Sequence, residues 1–269
     1  MNLSSLLSGW RRAPARAAVA VDGGAPMVRS LSRTHVGYVR TINEDRVLDQ
    51  PAAALWAIAD GMGGHSAGDL AAEMVVDALR ELAERGSPAD NTMIERALEE
   101  AGRRIHALSR QSGATSGSTV AALHIDGARA TLFWAGDSRV YRLRERKLER
   151  LTRDHSVVQD LIDAGALQPE QAECHPDAHV ITRALGATAG TTVERREIDV
   201  VEGDLYLLCS DGLVRGGQDP DRSDLAAGTL EAIADRLVAR ALAAGGRDNI
   251  SLVLVVVGSS GLPEGHDGG

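Results

Sequence analysis

The stretch Leu55-Trp56-Ala57-Ile58-Ala59-Asp60-Gly61-Met62-Gly63-Gly64-His65 decides the fold. A short apolar run stops abruptly at a carboxylate and a glycine-rich turn. Such runs read as buried strands, and a carboxylate at the end of one is held rigidly at a cleft mouth. Asp60 is therefore placed by the framework. Three other acidic stretches border apolar runs in the same way: Asn43-Glu44-Asp45, Ser210-Asp211-Gly212-Leu213 after Leu205–Cys209, and Arg247-Asp248-Asn249-Ile250 ahead of 251–257. Clustered carboxylates repel one another, and hard divalent cations with oxygen ligands relieve that repulsion. The pattern predicts a metal centre.

Outward from that centre, alternating and apolar runs predict strands over 30–35, 46–49, 55–59, 119–125, 129–135, 139–143, 147–151, 205–209 and 250–257. Asp126-Gly127 between two such runs is a hairpin signal. Leu70, Met74, Ala78 and Leu82 recur four apart and predict a helix over 67–85 with one buried stripe. A second helix is predicted from Thr92, which has capping-box spacing to Glu95, with a stripe of Ile94, Leu98, Ala101, Ile105 and Leu108. A third is predicted over 224–244. Strands paired as hairpins, with helices between them, indicate an α+β layered domain rather than a parallel α/β one.

At 269 residues and 43% hydrophobic content the chain can build one sizeable core, and no linker divides it. Its net charge, 29 − 38 = −9, argues against a nucleic-acid face. Cys174 and Cys209 stand far apart with no C-x-x-C partner, so neither a disulfide framework nor a zinc ribbon is indicated. No apolar run reaches the length of a membrane span. These features predict a soluble, cytoplasmic monomer. Residues 1–27, rich in Ala, Arg and Gly, read as a mobile leader, 28–257 as the domain and 258–269 as a disordered tail.

Gly37-Tyr38-Val39-Arg40-Thr41-Ile42-Asn43-Glu44-Asp45, Asp60 to His65, Gly117-Ser118-Thr119, Gly136-Asp137-Ser138-Arg139, Ile181 to Gly186, Ser210-Asp211-Gly212-Leu213 and Asp248-Asn249-Ile250 together resemble the bacterial metal-dependent protein serine/threonine phosphatases of the PPM, or type-2C, family. The motifs come in the family's order and span nearly the whole chain. The resemblance implies a four-layer αββα sandwich of two stacked antiparallel sheets flanked by helix pairs, with 154–180 as a variable flap beside the cleft. It implies two Mn2+ or Mg2+ ions, with a third site possible, and hydrolysis of phosphoserine and phosphothreonine by a metal-bridged water or hydroxide. Asp60 would bridge the ions, Gly61 would offer its carbonyl, Glu44 would lie on the second ion's side, and Asp211 and Asp248 would hold the first. Asp137 is either an Asx-turn residue or, as the resemblance implies, a ligand of a weaker third site shared with Asp211.

Asp45 directly follows Glu44, and successive side chains of an extended strand point oppositely, so Asp45 reads as a group behind the ligands that holds metal-bound water. Arg40 is read as the anchor of substrate phosphate, because its planar fork of donors matches phosphate oxygens; the alternative is a surface salt bridge. Eukaryotic members carry a histidine two residues after the bridging aspartate, and this chain has Met62 there. His65 is a candidate general acid, against a loop-stabilising role or proton donation by metal-bound water. Asp154-His155 is read as structural, as are Thr182 and Arg183, and Cys174, His175 and His179 lack metal-ligand spacing.

The resemblance implies phosphorylated proteins as partners, in particular a eukaryote-like Ser/Thr kinase and its targets. Thr34-His35-Val36-Gly37 is also similar to members encoded in secretion-system gene clusters. A different class of reading is a non-catalytic phosphoprotein-binding module of the same fold, which would require lost acidic ligands.

Overall fold

The structure, a computed structural model, describes residues 11–12, 27–63, 67–85, 90–113, 115–215 and 219–258. In chain order these form β1 (Arg11–Arg12), β2 (Val28–His35), β3 (Asp45–Gln50), β4 (Leu55–Gly63), helices α1 (Ala67–Glu84) and α2 (Asn91–Ser112), and β5 (Ser116–Ser118), β6 (Val120–Asp126) and β7 (Arg129–Ala135). They continue with β8 (Arg139–Arg144), β9 (Lys147–Arg150), α3 (Val157–Asp163), β10 (Glu194–Asp199), β11 (Leu205–Cys209), α4 (Arg222–Leu225), α5 (Leu230–Ala243) and β12 (Ile250–Val257).

One sheet runs β1-β2-β12-β11-β8-β9 and the other β10-β7-β6-β4-β3, with β5 paired to β4; every pairing within them is antiparallel. Strand periodicity builds the layers. Leu55, Ala57 and Ala59 of β4 face the core under α1 and α2, while Trp56 and Ile58 face the second sheet. Ile250, Leu252, Leu254 and Val256 of β12 pack under α5, while Val253, Val255 and Val257 look inward between the sheets. Both faces of each strand are thus covered, which is why these antiparallel strands read as unbroken apolar runs. The result is the αββα sandwich expected from the resemblance. No helix among the described residues is long and apolar enough to cross a membrane.

Several boundaries differ from the sequence expectation. The stripe on α1 is rotated: Leu70 is 55% exposed, and Ala71, Ala72, Val75, Val76 and Leu79 carry the burial. Small alanines bring the helix close to the sheet, so the largest side chains do not define the contact face. On α2, Leu108 is exposed at the far end of an otherwise buried stripe. The α2 cap is Asp90, whose carboxylate accepts the Met93 amide at 2.8 Å, and the helix begins before Thr92. The helix predicted over 224–244 is two, α4 and α5, because Gly228 adopts φ +104° and Thr229 caps the second. The hairpin loop is Gly127-Ala128, one residue later than read.

β10 was not foreseen: Glu-Arg-Arg-Glu-Ile-Asp is too charged to register as apolar, yet it pairs with β7 along its length as an edge strand. The expected leader lies mostly outside the described residues, but Arg11 and Arg12 pair with Thr34 and Arg33 of β2. The expected tail, Gly258 apart, also lies outside them.

Candidate metal and phosphate site

The site forms at one edge of the sandwich, where β4 and β11 end and β8 and β12 begin. A cleft of about 330 Å³ is lined there by Arg40, Glu44, Asp60, Gly61, Asp137, Asp211, Arg215 and Asp248, together with Met62, His179, Ile181 and Asn249. Residues separated by more than 200 positions in the chain are therefore neighbours.

Backbone contacts fix each acidic residue. The Asp60 amide donates to Thr119 Oγ1 at 3.1 Å, and the Thr119 amide donates back to the Asp60 carbonyl at 2.8 Å. The Thr119 hydroxyl also meets Ser138 Oγ at 2.8 Å, so the turn bearing Asp60 is tied to the turn bearing Asp137. Asn249 plays the same part on the other side. Its side-chain Oδ1 accepts the Glu44 amide at 2.8 Å, and its Nδ2 donates to the carbonyls of Val36 and Ile42 at 2.9 and 3.0 Å. Close approach requires glycine: a Cβ on Gly212 would lie 1.9 Å from the Asn249 carbonyl oxygen, and one on Gly61 would lie 2.0 Å from that of Gly68.

Electrostatics tests whether these groups suit a cation. Burial, then repulsion by Asp45, Asp211, Asp137 and Asp248, pushes the Asp60 carboxyl well above the usual range. Burial and repulsion by Asp211 and Asp154 raise Asp137 to about 8. Asp45 does not line the cleft. It is buried behind it, accepts Ser210 Oγ at 2.8 Å, and is raised to about 7 by burial, which the Ser251 and Ser210 hydroxyls partly offset. Asp211 Oδ1 is buried with no hydrogen-bond partner among the described residues.

Among the described residues, no three His, Cys, Asp or Glu side chains close on one point as a finished coordination shell. Guanidinium groups stand between the carboxylates instead. Arg40 bonds both oxygens of Asp248, at 2.8 and 2.9 Å, and Arg215 spans Asp211 Oδ2 (2.8 Å from its Nε) and Asp248 Oδ2 (2.6 Å). Crowded, mutually repelling carboxylates, an orphaned buried oxygen and all-oxygen donors fit a hard divalent cation.

Of the residues named from sequence, Arg40, Glu44, Asp60, Gly61, Asp137, Asp211 and Asp248 come together at the cleft. His65 lies outside the described residues. Arg215 was missed, although its position four residues after Asp211, in a turn of helical character, is the spacing at which opposite charges meet. His179, set aside as a metal ligand, lines the cleft from the flap.

The sandwich and this cleft define a class, and the chain belongs to the protein phosphatase 2C family, whose model matches residues 38–245. It is 38% identical over 240 residues to the serine/threonine protein phosphatase PstP of Mycobacterium tuberculosis, in an alignment covering 86% of this chain and 45% of PstP. The chain thus spans less than half the length of that relative. Among solved structures it is similar to PppA, described as a key regulatory component of T6SS in Pseudomonas aeruginosa, at TM-score 0.77 and 39% identity over 86% of this chain and 97% of that one. It is also similar to the catalytic domain of PstP in complex with two manganese ions, at TM-score 0.78 and 34% identity over 86% and 99% of the two chains.

Proposed function

We propose that this chain is a Mn2+- or Mg2+-dependent phosphatase that hydrolyses phosphoserine and phosphothreonine in proteins. The observation that carries the reading is the convergence of Glu44, Asp60, Asp137, Asp211 and Asp248 on one cleft that also holds Arg40. Asp60 would serve two ions, with the Gly61 carbonyl and Glu44 beside one, Asp211 and Asp248 beside the other, and Asp137 toward a third. Bound ions would neutralise the phosphoryl oxygens and lower the pKa of the attacking water.

The chain's own residues supply position. Arg40, 48% exposed and held by a single carboxylate, is free to turn its fork from Asp248 onto a phosphate once a cation neutralises Asp248. Asp45, with Ser210 and Ser251, would hold water behind the ligands. No acidic ligand of the expected set is missing, which disfavours the non-catalytic module.

On this reading the partners are phosphoproteins, with a eukaryote-like Ser/Thr kinase and its targets the natural circuit. The chain would act as a cytoplasmic monomer, and its two free cysteines, Cys174 and Cys209, suit a reducing compartment. Release of phosphate from a phosphothreonine peptide, dependent on Mn2+ and abolished by chelator, is the expected result. Metal-loaded protein with no turnover on phosphoserine or phosphothreonine peptides would overturn the reading.

A further inference from the structure

His155 is buried, and both ring nitrogens and both backbone polar groups are engaged. Its Nδ1 accepts the Gly136 amide at 3.1 Å, and its own amide donates to the Gly136 carbonyl at 2.9 Å. Its Nε2 lies 2.9 Å from Glu194 Oε2 on β10, and its carbonyl accepts the Thr182 amide at 2.7 Å. The ring stacks on Trp134 with centroids 6.3 Å apart and planes 10° from parallel. An amide N–H has only a proton to offer, so Nδ1 must present a lone pair. The single ring proton therefore sits on Nε2, where the Glu194 carboxylate accepts it. Burial also disfavours the charged imidazolium.

Gly136 immediately precedes Asp137. It adopts φ +113°, and a Cβ there would lie 2.6 Å from Thr119, the residue that brackets Asp60. The turn is thus clamped from inside by Thr119 and from outside by one imidazole. The same imidazole belongs to the segment where the flap leaves and returns, since Ser156 bridges Ile181 and the Val157 amide donates to Val180.

We infer that His155, fixed by Glu194 with its proton on Nε2, is a positioning residue that holds the Asp137 turn in the geometry needed to bind the weakest of the divalent cations. The inference rests on the metal-dependent reading above and adds two residues to it. Glu194, half exposed and also 3.5 Å from Arg183, sets the imidazole proton from a strand remote from the acidic motifs. Neither residue touches substrate; both act through Gly136.

Two substitutions separate positioning from simple packing. His155→Asn keeps an acceptor at the position of Nδ1, whereas His155→Gln moves the amide outward to the position of Nε2 and leaves Gly136 without its acceptor. Nitrogen NMR of the metal-free protein should place the ring proton on Nε2. Exchange of the Gly136 amide should be about tenfold faster in His155→Gln than in the parent, with His155→Asn close to the parent. Calorimetric titration with Mn2+ should show the weakest binding event weakened about tenfold in His155→Gln and little changed in His155→Asn.

A ring proton on Nδ1, or equal Gly136 exchange in the two variants, overturns the assignment. Altered Gly136 exchange with unchanged Mn2+ binding, or loss of melting temperature and turnover together without any change in Mn2+ binding, overturns the positioning role. Absence of phosphatase turnover in the parent would remove the proposed function, and amide exchange with Mn2+ binding would still decide the role of His155.

Discussion

The two walls of the cleft are built in opposite ways. On the acidic wall, main chain lies directly on main chain: Gly212 against Asn249, Gly61 against Gly68, and Gly37, at φ +82°, with the position of a Cβ 2.3 Å from the Asp248 carbonyl oxygen. On the flap wall, α3 buries no residue completely, and its Asp160 and Asp163 are paired with Arg153 at the surface. Carboxylates that must share cations need fixed positions, whereas a surface that meets varied protein substrates can be held loosely. On the proposed function, the rigid wall would do the chemistry and the looser wall would meet the phosphoprotein.

The contrast breaks most decisively at Gly212. Gly212→Ala forces a methyl into the Asn249 carbonyl, and overpacking between two pinned backbones should cost about 3 kcal/mol. That corresponds to a fall of roughly 10 °C in melting temperature. A melting temperature equal to the parent's would show the acidic wall to be as forgiving as the flap.

Next comes Arg40, which lies against Asp248 at the cleft. Arg40→Ala removes a charge-assisted fork and should raise KM for a phosphothreonine peptide between about tenfold and a hundredfold, with Mn2+ binding retained. An unchanged KM would remove Arg40 from phosphate binding.

A smaller effect lies in pH. Asp45 and Asp137 titrate at about 7 and about 8 in the folded chain, far above the unfolded value near 3.9. Across that interval the folded state holds more protons than the unfolded one, so metal-free stability should fall as pH rises from about 4 to about 8. Mn2+ competes with those protons, so the rise in melting temperature on adding it should be larger at pH 8 than at pH 5.5. The reverse order would mean that Asp137 does not face the cation and that Asp45 does not stand behind it.

The smallest effect belongs to the flap. Arg153→Ala removes the exposed pairs with Asp160 and Asp163 and should leave the melting temperature within about 2 °C of the parent. A large loss would show the flap to be part of the rigid framework.

The same contrast governs what the sequence discloses. The strands beneath the acidic wall, Leu55–Gly63 and Ile250–Val257, are covered on both faces, so each leaves an apolar run bordered by the residue it positions, Asp60 at the end of one and Asp248 ahead of the other. The acidic motifs are legible for that reason. Alanine-rich α1 misleads, because Ala71, Ala72 and Val75 make the close contact while the larger Leu70 points to solvent. Glu194–Asp199 stays hidden because an edge strand stabilised by cross-strand charge pairs carries almost no apolar signal. Arg215 and Glu194 escape notice for a common reason: each acts by pairing with a group brought to it by the fold, and only Arg215 has a neighbour, Asp211, at helical spacing to betray it.

On the proposed function, acidic side chains scattered along the chain jointly hold divalent cations, with Asp60 between them. Calorimetric titration of the metal-free protein with Mn2+, run beside Asp60→Asn, tests it most directly. At least two binding events are expected in the parent, with the tighter ones lost in Asp60→Asn and the fold retained. Equal Mn2+ binding by the two proteins, or none by either, would contradict it.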